Sequence, residues 1–223
     1  TELTRSQAKK ALHRGEVSCN GQVEKNAAFK VSLECDVRLN GAPLKVCGLR
    51  YIMLNKPADT LCSNVDEEYA SVLTLLDVPK ARSLHIAGRL DADTTGLVLI
   101  TDDGHWSHRV TTPTKACGKR YRVQLADPLP ESDRESLVEQ FATGIQLKGE
   151  KGLTKPALLE VVTPAEVLLT INEGKYHQVK RMFAAIGNRV VGLHREQIGP
   201  IVLDGSLSVG QWRYLTEAEV LSV

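Results

Sequence analysis

The segment "AGRLDADTTG", residues 87–96, is the most informative stretch of this chain. It places two glycines, two aspartates and an arginine directly ahead of "LVLI", an apolar run typical of a buried strand. A carboxylate in such a loop is more often a turn residue than a catalyst. Asp91 is a catalytic candidate only if a basic partner keeps it ionised inside the fold. The candidate partners are Arg89, Lys180 and Arg181.

The composition is that of an ordinary globular protein. The chain has 223 residues, of which 42% are hydrophobic and 25% charged. This length allows one large core and a small second domain. No apolar run approaches the roughly 18 residues that a membrane span requires, and no signal peptide is recognisable. We therefore expect no membrane partner and a cytoplasmic location.

The cysteines and carboxylates do not form a metal-binding pattern. The five cysteines are odd in number and contain no C-x-x-C pair, which argues against a zinc ribbon and a disulfide framework. We expect free thiols in a reducing compartment. "DADTTG" offers only two carboxylates, and "TDDG", residues 101–104, is typical of a hairpin turn. No phosphate-binding glycine motif occurs, so we predict neither a metal nor a cofactor.

The first 46 residues form a separate basic unit in this interpretation. Residues 1–45 carry eight lysines and arginines against five acidic residues. "TRSQAKKALHRG" has the spacing of a helix that ends at Gly15, and two Asn-Gly pairs, at 20–21 and 40–41, predict tight hairpin turns. A basic head of this kind suits nucleic-acid binding.

Residues 50–223 predict an α+β domain built on a largely antiparallel, mixed β-sheet flanked by helices. Several short strands are indicated with few helices between them, which disfavours a doubly wound α/β fold. The clearest helix is "YHQVKRMFAAIGN", residues 176–188, whose apolar side chains recur at helical spacing. We take residues 45–50 as the linker between the two domains.

Four separated motifs resemble those of pseudouridine synthases of the RsuA/RluA superfamily. "LHIAGRLDADTTGLVLITDDG", residues 84–104, resembles the central signature of that family. "NKP", "KRYRV" and "EGKYHQVKRMFAAIGN" are similar to its other motifs and follow in the expected order. The exact residues of these motifs most resemble those of the RsuA group. Residues 1–46 are similar to an S4-like RNA-binding domain. The resemblance covers nearly the whole chain.

The resemblance implies an isomerase that detaches a uracil from its ribose and rejoins it through C5, without a metal or redox cofactor. It makes Asp91 the nucleophile, with attack on the ribose C1′ and attack on the base both left open. It gives Tyr121 the task of packing on the base and shuttling a proton. Lys180 would pair with the aspartate where many members have arginine, Arg89 would hold the RNA open after the nucleotide flips out, and Leu193 would line the pocket.

The expected substrate is a segment of 16S small-subunit ribosomal RNA, free or in an assembly intermediate, bound by a monomer. Phosphate contacts would come from the basic helix, through Arg5, Lys9, Lys10 and Arg14. One alternative is a sister enzyme that acts on 23S large-subunit RNA. Another is a non-catalytic RNA-binding assembly factor, which would not need Asp91, Tyr121 and Lys180 together. A glycoside hydrolase would need a second carboxylate, for which Asp93 is poorly placed.

Overall fold

The computed structural model describes residues 3–32, 34–44, 48–112 and 117–223. The chain divides into two compact units, Thr1–Gly48 and Leu49–Val223. The linker that the sequence predicts at 45–50 falls partly outside the described residues. The assignment of the first unit to the S4-like class stays a prediction.

The first unit is a helix followed by a small antiparallel sheet. Helix α1 (Arg5–His13) begins behind Thr4, whose hydroxyl accepts from the Gln7 amide in a capping box. The strands are β1 (Val17–Cys19), β2 (Gln22–Val23), β3 (Val37–Leu39) and β4 (Ala42–Pro43), in the order β2-β1-β3-β4. Both predicted Asn-Gly turns are confirmed, since all four residues have positive φ angles.

Two of the cysteines form a disulfide, so the prediction of free thiols is wrong for them. Cys19 and Cys35 are bonded, with their Cα atoms 6.2 Å apart. The cause is topological, because Cys19 ends β1 and is the cross-strand partner of Val37 in β3. The pairing brings Cys35, just ahead of β3, next to a residue 16 positions earlier. Cys62 and Cys117 are free thiols.

The second unit contains most of the secondary structure. Its strands are β5 (Tyr51–Lys56), β6 (Thr60–Leu61), β7 (Ala70–Ser71), β8 (His85–Ala87), β9 (Thr95–Thr101), β10 (Lys119–Leu125), β11 (Leu158–Thr163), β12 (Glu166–Ile171), β13 (Val190–Ile198), β14 (Ile201–Val202) and β15 (Trp212–Tyr214). Its α-helices are α2 (Gly104–Thr111), α3 (Arg134–Thr143), α4 (Gln178–Ala185) and α5 (Glu217–Leu221). Short 3₁₀ helices lie at Val72–Leu75, Ala81–Ser83 and Glu131–Asp133.

The main sheet confirms the predicted mixed, largely antiparallel architecture. Its strand order is β11-β12-β10-β13-β9-β5-β15, with β8 paired to β9 and β14 paired to β13. Within the described part of the chain, β13 with β9 is the parallel pair of this sheet, and the other pairs are antiparallel. Both faces are covered: Ile52 and Leu54 of β5 point into one apolar cluster, and Met53 points into the other.

The segment "TDDG" starts a helix and is not the hairpin turn that the sequence predicts. The Asp103 carboxylate accepts hydrogen bonds from the backbone amides of His105 and Trp106, at 2.9 and 3.0 Å. It therefore caps the N-terminus of α2. The helix forms here because Trp106 is fully buried and packs edge-on against Tyr51 in the second apolar cluster.

The predicted helix near residue 180 is confirmed as α4, which begins at Gln178 and buries Val179, Met182 and Phe183. The chain turns at Gly187, whose φ angle is +80°. The helix packs against β13 on one face of the sheet. Its first turn therefore lies beside the loop that connects β8 to β9.

Gly96 fixes the distance between the two central strands. It has a φ angle of +102°, and a Cβ atom at this position would overlap the backbone of Arg195 in β13. β9 and β13 pair in parallel at this point, with Arg195 opposite Gly96. Only glycine allows so close an approach together with this backbone conformation.

We predict that Gly96→Ala lowers the free energy of unfolding by about 2 kcal/mol or more, because it combines a steric overlap with an unfavourable φ angle. Urea denaturation measures the change. Gly205→Ala is the matched control, since its added Cβ meets open space, and it should change stability by less than about 0.5 kcal/mol. An equal effect of the two substitutions would contradict the close packing at Gly96.

Candidate active site

The segment 88–94 forms the loop between β8 and β9, and Asp91 stands at its turn. The Thr94 amide donates to the Asp91 carbonyl at 3.1 Å, which closes a four-residue turn. The Ala92 carbonyl, inside this turn, accepts a hydrogen bond from the amide of Asp59, which lies elsewhere in the chain, at 2.9 Å. The side chain of Leu90, also in this loop, is buried. The Asp91 side chain remains about one-third exposed, at 33%.

A buried lysine holds the second half of this loop. Lys56, the last residue of β5, is 0% exposed. Its ammonium donates to the carbonyls of Pro57, Ala92 and Thr94, at 2.9, 2.9 and 2.8 Å. Three carbonyls satisfy its three donors. Burial lowers the pKa of Lys56.

A buried arginine holds the first half of the loop. Arg195 of β13 is 1% exposed. Its guanidinium donates to the Gly88 carbonyl at 2.6 Å and to the Leu97 carbonyl at 2.9 Å, with a longer contact to the Arg89 carbonyl at 3.4 Å. The flat fork of donors can reach both ends of the loop at once. Arg195 also lies 3.4 Å from the Tyr121 hydroxyl.

Two cavities meet at Asp91. The smaller has a volume of about 420 Å³, and its walls include Tyr121, Leu193 and Lys119. The larger has a volume of about 930 Å³ and extends past Asn64 and Tyr176. The residues that line both are Ile86, Arg89, Leu90, Asp91, Gly174, Lys175 and His177. The smaller volume lies in the range of roughly 300–1,000 Å³ that is usual for small-molecule sites.

Two basic side chains of the α4 region approach Asp91. The Lys180 ammonium lies 3.5 Å from one Asp91 oxygen, and the His177 Nε2 atom lies 3.4 Å from the other. Lys180 contacts Asp93 more closely, at 2.6 and 2.8 Å from its two oxygens. This bond lowers the pKa of Asp93. The structure thus places Lys180 beside Asp91, as predicted, but shares it with a second carboxylate.

The remaining catalytic-unit residues singled out from the sequence also lie at this site. Tyr121 is buried in β10 and Leu193 is half-buried in β13, and both line the smaller cavity. Arg89 is exposed and lines both cavities. Within the part of the chain that the structure describes, its guanidinium forms no hydrogen bond or ion pair.

Lys119 adds another partly buried cation to the smaller cavity. Burial lowers its pKa, and the charge of Arg195 lowers it further. No carboxylate pairs with Lys119 among residues 3–32, 34–44, 48–112 and 117–223. The cavity wall is therefore electropositive, which favours an anionic ligand such as a nucleotide phosphate.

The basic residues predicted for phosphate binding lie in the first unit. They are exposed on α1 or directly after it, and are Arg5, Lys9, Lys10 and Arg14. Their neighbour Ala11 is buried. Arg14 lies 3.7 Å from Glu16. Their part in RNA binding stays a prediction.

Sequence reasoning missed three residues of this site: Lys56, Arg195 and His177. Lys56 stands in "NKP", one of the four motifs that resemble the family, but the resemblance implies no role for this lysine. Arg195 follows an apolar strand pattern in which a charged residue is unusual, and this was the available clue. His177 has a φ angle of +47°, which the sequence does not reveal.

Within the described ranges, no group of three or more His, Cys, Asp or Glu side chains is arranged to hold a metal ion. In the same ranges, no helix is both long and apolar enough to cross a membrane.

We predict that Arg195→Lys lowers the free energy of unfolding by about 3 kcal/mol or more, because an ammonium cannot reach both the Gly88 and Leu97 carbonyls. Urea denaturation measures the loss. Arg213→Lys is the matched control: Arg213 pairs with Asp204 and Glu219 away from both cavities, and we expect a loss of about 1 kcal/mol or less. Equal losses would show that the Arg195 fork is not needed.

Comparisons with known proteins identify the family. Residues 50–185 match the family described as RNA pseudouridylate synthase. The ribosomal small subunit pseudouridine synthase A of Vibrio cholerae is 54% identical over 220 residues, which cover 99% of this chain and 94% of that protein. The protein of the same name in Escherichia coli K12 is 54% identical over 222 residues, with the same shares covered.

A solved crystal structure of a pseudouridylate synthase is also similar, with 50% sequence identity and a TM-score of 0.74. The similarity covers 99% of this chain and 94% of that one. These findings confirm the resemblance seen in the four motifs. The chain belongs to the RNA pseudouridylate synthase family and is an enzyme of that family.

Proposed function

We propose that this protein converts one uridine of 16S small-subunit ribosomal RNA into pseudouridine, with Asp91 as the nucleophile and without a cofactor. The observation that carries the proposal is the position of Asp91. Its carboxylate stands where the two cavities meet, between His177 at 3.4 Å and Lys180 at 3.5 Å. The small-subunit substrate is supported by the names of the relatives that share 54% of their residues with this chain.

The reaction balances without an external reagent. The bond between the ribose C1′ and the uracil N1 breaks, and a bond between C1′ and C5 forms. One proton leaves C5 and one arrives at N1, so product and substrate have the same atoms. A fixed carboxylate stabilises the cationic character that develops at C1′ when the first bond breaks. No electron acceptor or hydrolytic water is required.

Neighbouring side chains fit the steps of this reaction. Tyr121 lies in the wall of the 420 Å³ cavity, where its ring would pack on the detached base and its hydroxyl would shuttle the proton. Leu193 supplies apolar surface to the same cavity. The Lys180 ammonium, 3.5 Å away, is an electrostatic partner for the Asp91 carboxylate. Their elements are packed strands and a helix, so these groups are preorganised for the reaction.

Access to the target uridine requires base flipping, because its C1′ atom is covered in stacked RNA. Unstacking one nucleotide costs a few kcal/mol, and a side chain that fills the gap offsets this cost. Arg89 is exposed beside Asp91 and has an unengaged guanidinium within the described residues. We assign it to the gap that the flipped nucleotide leaves.

The basic helix α1 positions the RNA in this proposal. Arg5, Lys9, Lys10 and Arg14 would contact phosphates, which fix register without reading sequence. The whole chain has a net charge of only +1, so bulk RNA affinity would be modest and structured RNA would be preferred. We propose that the enzyme acts as a monomer in the cytoplasm, on small-subunit RNA or on its assembly intermediate.

The proposal is tested by incubating the protein with small-subunit RNA, large-subunit RNA and assembling small-subunit particles. Pseudouridine is mapped by a carbodiimide adduct that stops reverse transcriptase. We expect one new stop, in small-subunit RNA. A stop only in large-subunit RNA would overturn the substrate, and no stop in any sample would favour a non-catalytic binding factor.

We predict that Asp91→Asn lowers turnover by about a thousandfold or more, because it removes the nucleophilic charge. RNA binding should stay nearly intact, since the change in side-chain volume is small. Stopped single-turnover reactions and filter binding measure the two quantities. Asp93→Asn is the matched control two residues away, and it should retain turnover within about tenfold. The reverse order of the two variants would reassign the nucleophile to Asp93.

We predict that Lys180→Met lowers kcat by about tenfold or more, because it removes the positive charge 3.5 Å from the Asp91 carboxylate. A tenfold loss corresponds to about 1.4 kcal/mol of transition-state stabilisation. Lys180→Arg preserves the charge and should retain most of the activity. Initial rates at saturating RNA measure kcat for both variants. Unchanged turnover of Lys180→Met would leave Lys180 as a surface residue without a catalytic part.

We predict that replacing Arg5, Lys9, Lys10 and Arg14 together by glutamine weakens RNA binding and lowers its salt dependence. The slope of log Kd against log salt should fall by about 3, since each lost phosphate contact removes about 0.7–0.9. Filter binding at several salt concentrations measures it. Three exposed lysines away from both cavities, Lys80, Lys151 and Lys155, serve as the control set. An unchanged slope would move RNA recognition to the catalytic unit.

A further inference from the structure

An aromatic pair stands at the rim of the candidate active site, and its tyrosine has no part in the chemistry above. The Tyr176 ring stacks on the His177 ring, with centroids 3.8 Å apart and planes inclined by 18°. Tyr176 is nevertheless 76% exposed. One face of its ring is therefore covered by His177, and the other face is open to solvent. An exposed tyrosine ring of this kind is costly to leave in water and suited to an aromatic ligand.

The pair is connected directly to Asp91. The His177 Nε2 atom lies 3.4 Å from an Asp91 oxygen, so Tyr176 is only one side chain away from the proposed nucleophile. Tyr176 and His177 both line the 930 Å³ cavity, whereas Tyr176 does not line the 420 Å³ cavity. Tyr176 thus lies beside the 420 Å³ cavity, in which the target nucleotide would bind, and outside it.

The backbone holds the pair in place. His177 has a φ angle of +47° directly before α4, which sets the direction of both side chains. The Arg181 guanidinium donates to the Tyr176 carbonyl at 3.1 Å and to the Lys148 carbonyl at 2.9 Å, and it also pairs with Glu150. A tyrosine on so fixed a peptide loses little conformational entropy when a ligand stacks on it.

The charge and chemistry of the larger cavity indicate what would stack there. Arg89 and Lys175 line it together with the aromatic pair. Basic groups and aromatic rings in one groove are typical of single-stranded nucleic-acid sites. When one nucleotide is flipped into the smaller cavity, its neighbour loses a stacking partner. Unstacked bases in RNA commonly pack on aromatic side chains.

We propose that Tyr176 is a stacking platform for an unpaired base adjacent to the target uridine, and that it contributes to the choice of target. The inference rests on the proposed function, since it needs the target nucleotide at Asp91. Tyr176 positions RNA and takes no part in bond making. A purine should stack more strongly than a pyrimidine because its π-face is larger.

The test compares Tyr176→Ala, Tyr176→Phe and the control Tyr214→Ala on a small-subunit RNA fragment that contains the mapped uridine. Tyr214 is also exposed, at 50%, but lies in β15 and lines neither cavity. We expect Tyr176→Ala to raise KM by about 5- to 100-fold, the loss of one stacked base, with kcat within about threefold. Tyr176→Phe and Tyr214→Ala should match the unmodified protein.

A spectroscopic readout separates stacking from a purely structural effect. 2-Aminopurine placed next to the target uridine should be quenched by the unmodified protein and by Tyr176→Phe, and much less by Tyr176→Ala at saturating protein. Wild-type KM in Tyr176→Ala, or equal quenching by all variants, would overturn the platform. Absence of pseudouridine with the unmodified protein would instead contradict the proposed function itself, so the two failures are distinguishable.

Discussion

Two buried cations, neither paired with a carboxylate among the described residues, hold the loop on which the site depends. Lys56 and Arg195 are both essentially inaccessible to solvent. Each donates hydrogen bonds to backbone carbonyls of residues 88–97 or of Pro57. Removing such charges from water is costly unless every donor is satisfied. The carbonyls of the loop provide this compensation only when the loop has its native shape. The loop and the two cations therefore fix one another.

This constraint explains how a short, glycine-containing loop can present one carboxylate accurately. Arg195 anchors the residues before Asp91 and Lys56 anchors those after it, while Gly96 lets β9 approach the β13 backbone. The same cations add positive potential near Asp91, to which Lys180 of α4 contributes from 3.5 Å away. Asp91 is the nucleophile that we propose, and a nucleophile placed before substrate binds requires little reorganisation during the reaction. The free energy needed to order the loop is therefore supplied when the chain folds and not during the reaction.

The sequence predicted the features that depend on local patterns. Short apolar runs such as "LVLI" predicted strands, the Asn-Gly pairs predicted the hairpin turns, and helical spacing predicted α4. Tertiary context decided the rest. "TDDG" caps α2 instead of forming a turn because Trp106 has an apolar cluster to enter. Lys56 and Arg195 resemble solvated cations in the sequence, and only the sheet shows that their partners are carbonyls up to 107 positions away. Lys180 was placed correctly near Asp91, but its closer bond to Asp93 depends on the shape of the loop.

Amide hydrogen exchange in the RNA-free protein tests this account most directly, because preorganisation must exist before RNA binds. The informative amides are those of Thr94 and Asp59, which donate to carbonyls of the loop. The account predicts that both are protected to nearly the same extent as amides in the central strand β9, and that Arg195→Lys removes this protection. Exchange of these amides at the rate of an unstructured peptide in the free protein would contradict it, since the loop would then acquire its shape only on binding RNA.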